Sequence, residues 1–205
     1  MTELPLLTLL IGIPLIAGLV CLFVSANAAR WTALIATLID FAIGAYLWAA
    51  FDPSGPQWQF VENLPLGGGI RWALGIDGIA LVLIMLSVFL MPICIGASWR
   101  AITKRVPEYM AAFLLMEALM LGVFAAQDLF LFYVFFEGGL IPMYLIIGIW
   151  GGAERIKASY KFFLYTLFGS VLMLIAMVTK ITSARSPILP TTSRCRSTQL
   201  RLPPV

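Results

Sequence analysis

The chain has 205 residues, of which 61% are apolar and only 11% are charged, with no histidine and a mean hydropathy of +1.00. An ordinary soluble domain is about 25% charged, so these values exclude a soluble protein and predict an all-α, polytopic transmembrane helix bundle. The three cysteines are widely spaced, and without histidine they match no zinc, haem or iron–sulfur pattern. We therefore expect no metal or cofactor in this chain and no nucleic-acid partner.

Six apolar segments follow one another, and each approaches the ~20 residues that a helix needs to cross ~30 Å of hydrocarbon. They predict a transmembrane bundle over residues 1–179. The predicted spans are residues 4–24, 31–51, 77–99, 107–126, 129–150 and 160–180. Asp77 and Asp128 stand at the start of two spans and are predicted N-caps. Residues 52–76, rich in proline and glycine, are predicted to form a long loop.

Basic residues are concentrated in the odd-numbered loops. These residues are Arg30, then Arg100, Lys104 and Arg105, then Arg155 and Lys157. The opposite loops contain one basic residue, Arg71. Because short loops rich in lysine and arginine stay in the cytoplasm, this pattern predicts an N-terminus on the non-cytoplasmic side.

Residues 180–205 differ abruptly from the rest of the chain. They contain five basic and no acidic residues, whereas residues 1–179 contain eight basic and ten acidic ones. Serine, threonine, proline and arginine occur four times each, and nothing in this basic tail could pack a core. We interpret it as a disordered appendix or as the product of a shifted reading frame, and we favour the second interpretation.

Glu137 lies in the middle of an uninterrupted apolar segment, and no basic residue occurs between Arg105 and Arg155. An ionisable group at that depth is costly, and it is rare unless a charge or a proton passes there. Burial disfavours the charged form, so the carboxyl group could take up and release protons. We predict proton transfer at Glu137; the alternative is a neutral glutamate hydrogen-bonded across helices.

Glu117 is predicted to lie at the same depth as Glu137. The two acids are ten residues before and ten residues after Gln127, so each should be ~15 Å from the turn between their helices. Whether they face each other depends on helix rotation, which the sequence leaves open. Glu117 is either a proton relay or a packing residue. For Asp40, central in the second span, we favour a structural role through an interhelical hydrogen bond.

Three other residues of the fifth span are expected to support Glu137. Tyr133 and Tyr144, four residues before it and seven after it, fall on the same helix face and form a polar stripe. Pro142 cannot donate a helical hydrogen bond to the carbonyl of Gly138, so the backbone there can bend or admit water. Together these features predict a half-buried proton site.

The segment Ala126–Tyr144, AQDLFLFYVFFEGGLIPMY, resembles the central motif of the chain M or chain 4 subunits of NADH–quinone oxidoreductase, the respiratory complex I. These are antiporter-like membrane subunits. The resemblance covers residues 1–179 and matches the N-terminal part of such subunits. Other matching segments are Ile76–Ile79, Gly151–Gly152, Glu154–Arg155 and Lys161–Ser170.

This resemblance implies a proton-translocating subunit of an enzyme that couples NADH oxidation by quinone to proton pumping. In the family, the glutamate that matches Glu137 transfers protons together with lysines of later helices. The resemblance also implies that flavin, iron–sulfur clusters, NADH and quinone are bound by partner subunits. The expected surroundings are the other membrane subunits of complex I and the lipid of a bacterial inner membrane, or of a mitochondrial inner membrane if the chain is organellar.

The later helices with their lysines are absent from this sequence, so the resemblance indicates a truncated product. We expect the chain alone to bind a proton at Glu137 without catalysing translocation. Two other functions fit the residues. One is a subunit of a multi-component sodium/proton antiporter, which shares the fold and the motif; the other is an inert membrane scaffold produced by truncation.

Overall fold

The structure, a computed structural model, describes residues 5–67 and 70–185, which form six α-helices and one β-hairpin. The elements are α1 (Leu6–Cys21), α2 (Ala26–Ala50), β1 (Gln59–Gly67), β2 (Ile70–Ile76), α3 (Gly78–Ala101), α4 (Val106–Ala125), α5 (Leu129–Trp150) and α6 (Arg155–Arg185). Helices α2 to α6 are long and apolar enough to cross a membrane, and α1 is apolar but has 16 residues. The predicted polytopic helix bundle is therefore confirmed.

The chain divides into two compact units, Met1–Ser170 and Val171–Val205. The first unit contains α1 to α5, the hairpin and the first half of α6. The described part of the second unit is the remainder of α6, which ends at Arg185. The predicted basic tail begins on the last turns of this helix, and from residue 186 onward it lies outside the described residues.

Local capping explains where α3 and α5 begin. The carboxylates of Asp77 and Asp128 accept hydrogen bonds from the backbone N–H groups of Ala80 and Phe130, each at 2.7 Å. These are the two predicted N-caps. Helix α1 ends at Cys21, before the end of the predicted span, because the following residues form a tight turn into α2.

An antiparallel β-hairpin, β1 with β2, fills much of the predicted loop between α2 and α3. The sequence analysis missed it because prolines and glycines interrupt the alternation of apolar residues. Leu74 and Ile76 of β2 are fully buried. Leu74 forms a bridge with Ala126, and the N–H of Gln127 donates to the carbonyl of Ala73 at 2.9 Å. The hairpin therefore packs against the turn between α4 and α5.

Glu62 of β1 fixes the start of α1. Its carboxylate accepts the backbone N–H groups of Leu7 at 2.7 Å and Thr8 at 3.0 Å, which no helical carbonyl can reach. The Thr8 hydroxyl donates to the same carboxylate and accepts the indole N–H of Trp72 at 3.0 Å. The hairpin and α1 are thus joined by a satisfied polar network.

The buried core of the bundle consists of two apolar clusters. One includes Leu10 and Leu121 and lies toward the hairpin; the other includes Met110 and lies toward the opposite end. Along α2 and α4, the change from one cluster to the other occurs at Asp40 and Glu117. Both acids are enclosed in the interior.

Candidate proton-transfer site

Glu137 and Glu117 lie at one depth in the bundle. Glu137 is eight residues after the start of α5 at Leu129, and Glu117 is eight residues before the end of α4 at Ala125. Eight residues of α-helix rise ~12 Å. Since α4 and α5 are joined by a short turn, both carboxyl groups lie near the middle of an apolar hairpin of helices.

The immediate surroundings of Glu137 are polar. Its side chain is half-buried, and the Tyr133 hydroxyl interacts with both the Glu137 carboxyl group and the Ser170 hydroxyl of α6. Among the described residues, Oε1 of Glu137 is buried without a hydrogen-bond partner. A buried carboxylate oxygen that lacks a donor is costly. This atom therefore has capacity for a proton or a water molecule.

Tyr144 and Pro142, the other predicted supporting residues, have different environments. The ring of Tyr144 packs edge-on against Phe163 of α6, with centroids 5.5 Å apart. Pro142 is buried and lines a groove of about 550 Å³ whose walls come from α1, α4 and α5. The structure thus brings Tyr133 to Glu137, whereas Tyr144 and Pro142 contact other parts of the bundle.

Glu117 is enclosed together with Asp40 of α2, an acid for which the sequence analysis favoured a structural role, and we call the two residues the acid pair. The side chains of Asp40 and Glu117 are 0% and 1% exposed, and the charge of Asp40 acts on Glu117. None of their four carboxylate oxygens has a hydrogen-bond partner within residues 5–67 and 70–185. The interhelical hydrogen bond expected for Asp40 is therefore not formed among these residues. Sequence reasoning missed this pairing, and the only signal was the central position of each acid in its helix.

Three basic residues near helix ends, Arg30, Arg105 and Lys157, are engaged away from these acids. Arg30 is ten residues, ~15 Å of helix, from Asp40, and its guanidinium donates to the carbonyl of Ile102 at 2.9 Å. The ion pairs found in the described part of the chain are exposed. They are Arg105 with Glu108 at 3.5 Å and Lys157 with Glu154 at 2.8 Å.

Two family models match the sequence. Residues 7–126 match NADH-ubiquinone oxidoreductase chain 4, amino terminus, and residues 126–187 match NADH:quinone oxidoreductase/Mrp antiporter, TM. The first match covers more than half of the chain and includes Asp40 and Glu117. The second includes Tyr133 and Glu137.

Curated relatives match most of the chain. NADH-quinone oxidoreductase subunit M of Rhodobacter capsulatus is 53% identical over 180 residues, which are 84% of this chain and 35% of the relative. NADH-ubiquinone oxidoreductase chain 4 of Arabidopsis thaliana is 47% identical over 176 residues, 82% of this chain and 35% of the relative. The chain thus spans about a third of the length of these relatives.

Two solved structures share the arrangement of helices. A chain of the archaeal membrane-bound sulfane sulfur reductase matches with a TM-score of 0.73 and 19% identity, over 87% of this chain and 28% of that chain. A chain of the Mrp complex from Dietzia sp. DQ12-45-1b matches with a TM-score of 0.70 and 20% identity, over 83% of this chain and 19% of that chain. At these identities the likeness establishes the fold alone.

Proposed function

Because this chain belongs to the family of NADH-ubiquinone oxidoreductase chain 4, we propose that it is a proton-translocating membrane subunit of an NADH–quinone oxidoreductase. The enzyme would couple the oxidation of NADH by quinone to proton movement across the membrane. NADH, quinone, flavin and iron–sulfur clusters would be bound by partner subunits. The part of this chain would be proton transfer within the bilayer.

Glu137 is the residue that supports this proposal most. It is a half-buried acid in the middle of an apolar helix, with a buried oxygen that has no partner among the described residues. Acids at such positions are rare in membrane helices and mark ion or proton paths. A general acid or base must also exchange its proton with a neighbouring group, and we propose Tyr133, one helical turn before Glu137, because its hydroxyl interacts with this carboxyl group.

The hydroxyl of Tyr133 would have a hydrogen-bond acceptor whether Glu137 is ionised or protonated. Ser170 donates its own hydroxyl hydrogen to the carbonyl of Leu167 at 2.9 Å, so its oxygen is left to accept from Tyr133. The tyrosine O–H can therefore donate to Glu137 when the carboxylate is ionised and to Ser170 when the carboxyl group is protonated. The hydrogen bond donated by Tyr133 would therefore change its acceptor each time Glu137 takes up or releases a proton.

The chain by itself supplies the acid and its tyrosine. A complete path across the membrane also requires groups on either side of Glu137 that pass the proton on, and we infer that other parts of the assembled enzyme provide them. We therefore expect the chain in isolation to bind a proton at Glu137 without moving protons across a bilayer.

We infer that the N-terminus faces away from the cytoplasm. The basic loops meet at one end of the bundle, where Arg30 donates to Ile102 and the indole N–H of Trp150 donates to the carbonyl of Lys104 at 2.9 Å. The opposite end contains the hairpin and the acidic caps Asp77 and Asp128. This asymmetry supports a cytoplasmic location for the basic end.

A subunit of a sodium/proton antiporter is the second candidate. It is favoured by the family model shared with Mrp antiporters and by the fold shared with the Mrp complex. An inert membrane scaffold is the third, and it would tolerate the loss of the Glu137 carboxylate.

Deletion of this chain in the cell that encodes it separates the candidates. We expect membrane vesicles from the deletion strain to lose NADH-driven proton uptake, and a plasmid copy of the chain to restore it. Growth at raised sodium concentration should be unchanged. Normal NADH-driven uptake together with sodium-sensitive growth would instead identify an antiporter, and no change in either measurement would identify a scaffold.

A further inference from the structure

The acid pair, Asp40 of α2 and Glu117 of α4, is enclosed in the interior of α1 to α4, and the charge of Asp40 acts on Glu117. Asp40 is 0% exposed and Glu117 is 1% exposed, and within the described residues all four of their oxygens lack a hydrogen-bond partner. One turn beyond Asp40, α3 approaches α2 closely, since a Cβ on Gly44 would lie 2.8 Å from Val88. The pair is therefore sealed between apolar helix faces.

An enclosed pair of ionised carboxylates would be strongly unfavourable. Each buried charge loses much of its hydration, and two like charges at one site repel each other. Arg30, the basic residue of α2, is engaged with Ile102 at the end of the helix. The charge must consequently be neutralised by a bound species.

The helices packed against the pair contribute other titratable groups, but these lie elsewhere. Glu137 and Tyr133 of α5 interact with each other, and Glu108 of α4 pairs with Arg105 in an exposed position. The remaining groups are at helix ends or partly exposed. They are Cys21 on α1, Tyr46 on α2, Cys94 and Arg100 on α3, Tyr109 on α4 and Tyr144 on α5.

We propose that Asp40 and Glu117 together form a second proton-binding site, in which at least one carboxyl group is protonated at neutral pH. A proton taken up from the solvent forms an O–H bond with one carboxylate oxygen and so neutralises one of the two like charges. The protonated carboxyl group also gains an O–H donor in a site whose oxygens have no donor among the described residues. The site is independent of the proposed role of Glu137, because the two acids face the interior of α1 to α4.

A proton fits this site better than a metal cation. Hard cations such as Ca²⁺ and Mg²⁺ prefer six or more oxygen ligands, whereas the acid pair offers four carboxylate oxygens. The nearby Thr37 hydroxyl donates to the backbone carbonyls of Ala33 and Leu34 at 3.1 and 3.0 Å. In the described part of the chain, no cluster of three or more acids or cysteines is arranged to hold a metal.

Infrared spectroscopy of the purified chain in detergent micelles tests the proposal. The chain carries Glu137→Gln as a background, so that Glu137 does not contribute to the carbonyl-stretch region of protonated acids. Spectra are recorded over a pH series, in H₂O and in D₂O, for this chain and for its Asp40→Asn, Glu117→Gln and doubly substituted forms. Glu108→Gln is the matched control, because it makes the same change at an exposed position of the same helix.

We expect a protonated-acid band at neutral pH that shifts in D₂O, is reduced by either substitution and is lost in the double variant. Asp40→Asn should lower the pH at which the Glu117 band disappears, because the repelling charge has been removed. Glu108→Gln should leave the band unchanged. Absence of the band at neutral pH would overturn the proposal. So would a Glu117 band whose pH dependence is the same with and without the Asp40→Asn substitution.

The same experiment, repeated in sodium chloride, distinguishes a bound proton from a bound sodium ion. Replacing potassium chloride by sodium chloride at constant pH should leave the protonated-acid band unchanged. Loss of the band on addition of sodium would identify a cation site in place of a proton site. This comparison needs only the Glu137→Gln chain with Asp40 and Glu117 intact, so it does not depend on the folding of the Asp40 and Glu117 variants.

Discussion

Three acids lie in the middle of membrane helices, and their neighbours give them different properties. Glu137 is half-buried and interacts with the Tyr133 hydroxyl, so under the proposed function a proton would reach it through this polar neighbour. Asp40 and Glu117 are enclosed in the interior, and the charge of Asp40 acts on Glu117. Exchange of a proton at Glu137 should therefore be fast compared with exchange at the enclosed pair, which requires opening of the packed helices.

Replacing Tyr133 by phenylalanine should slow proton transfer without abolishing it. The substitution keeps the ring and removes the hydroxyl that interacts with Glu137 and Ser170. Loss of one hydrogen bond of about 1 kcal/mol corresponds to roughly a fivefold slower step. The measurement is the initial rate of NADH-driven proton uptake by membrane vesicles.

Tyr144→Phe is the matched control for that substitution. It keeps the ring that packs on Phe163, so the uptake rate should change less than with Tyr133→Phe. Equal rates in the two variants would show that the tyrosine nearest to Glu137 has no special part in transfer.

Helix periodicity placed Tyr133 next to Glu137, but it could not reveal the partner of Glu117. A separation of four residues puts two side chains on one face whatever surrounds the helix. The pairing of Glu117 with Asp40 depends on the rotation of α2 and α4 about their own axes, which only tertiary packing determines. The same limit applies to Tyr144, which shares the predicted face and packs on α6.

At the scale of elements, the contact between α4 and α5 holds Glu117 and Glu137 at one depth. Gly122 of α4 lies against the ring of Phe135, and a Cβ at this position would be 2.7 Å from the ring carbons. Phe135 is buried and also packs edge-on against Trp72 of the hairpin at 5.7 Å. The ring cannot easily move away, so glycine is required for this close approach.

Gly122→Ala should therefore destabilise the chain. Overpacking of a close contact costs about 1–3 kcal/mol, which should appear as a lower melting temperature in detergent micelles. Gly96→Ala on α3 is the control, since a Cβ there meets no atom within 4 Å and alanine favours the helix. Equal melting temperatures for the two variants would contradict the described packing of α4 on α5.

The sequence indicates helix bounds well where local signals are strong. Helix α5 occupies the suggested range because Asp128 caps its start and Gly151 follows its end. Helix α6 begins five residues earlier than suggested, since Arg155, Lys157 and Lys161 reduce the apolar signal of its first turns. The hairpin gave no comparable signal, because its burial against α3 to α5 is a tertiary property.

At the scale of the whole molecule, the separation of charge between the two ends of the bundle predicts its orientation. Single cysteines at Lys104 and at Asp52, in a chain without its native cysteines, should react differently with a membrane-impermeant thiol reagent. In intact cells we expect labelling at position 52 and protection at position 104, because the basic loops are retained in the cytoplasm. The reverse pattern would place the N-terminus in the cytoplasm.

The proposed proton-transfer role of Glu137 is tested most directly by Glu137→Gln in the proposed assembled oxidoreductase, with protons taken up per NADH oxidised as the measurement. Glu154→Gln, a change at an exposed acid paired with Lys157, is the control. We expect proton uptake through this subunit to fall roughly a hundredfold, within the range that a positioned proton-transfer group contributes, while the amount of assembled enzyme stays the same. Proton uptake equal to that of the Glu154→Gln enzyme would contradict the account.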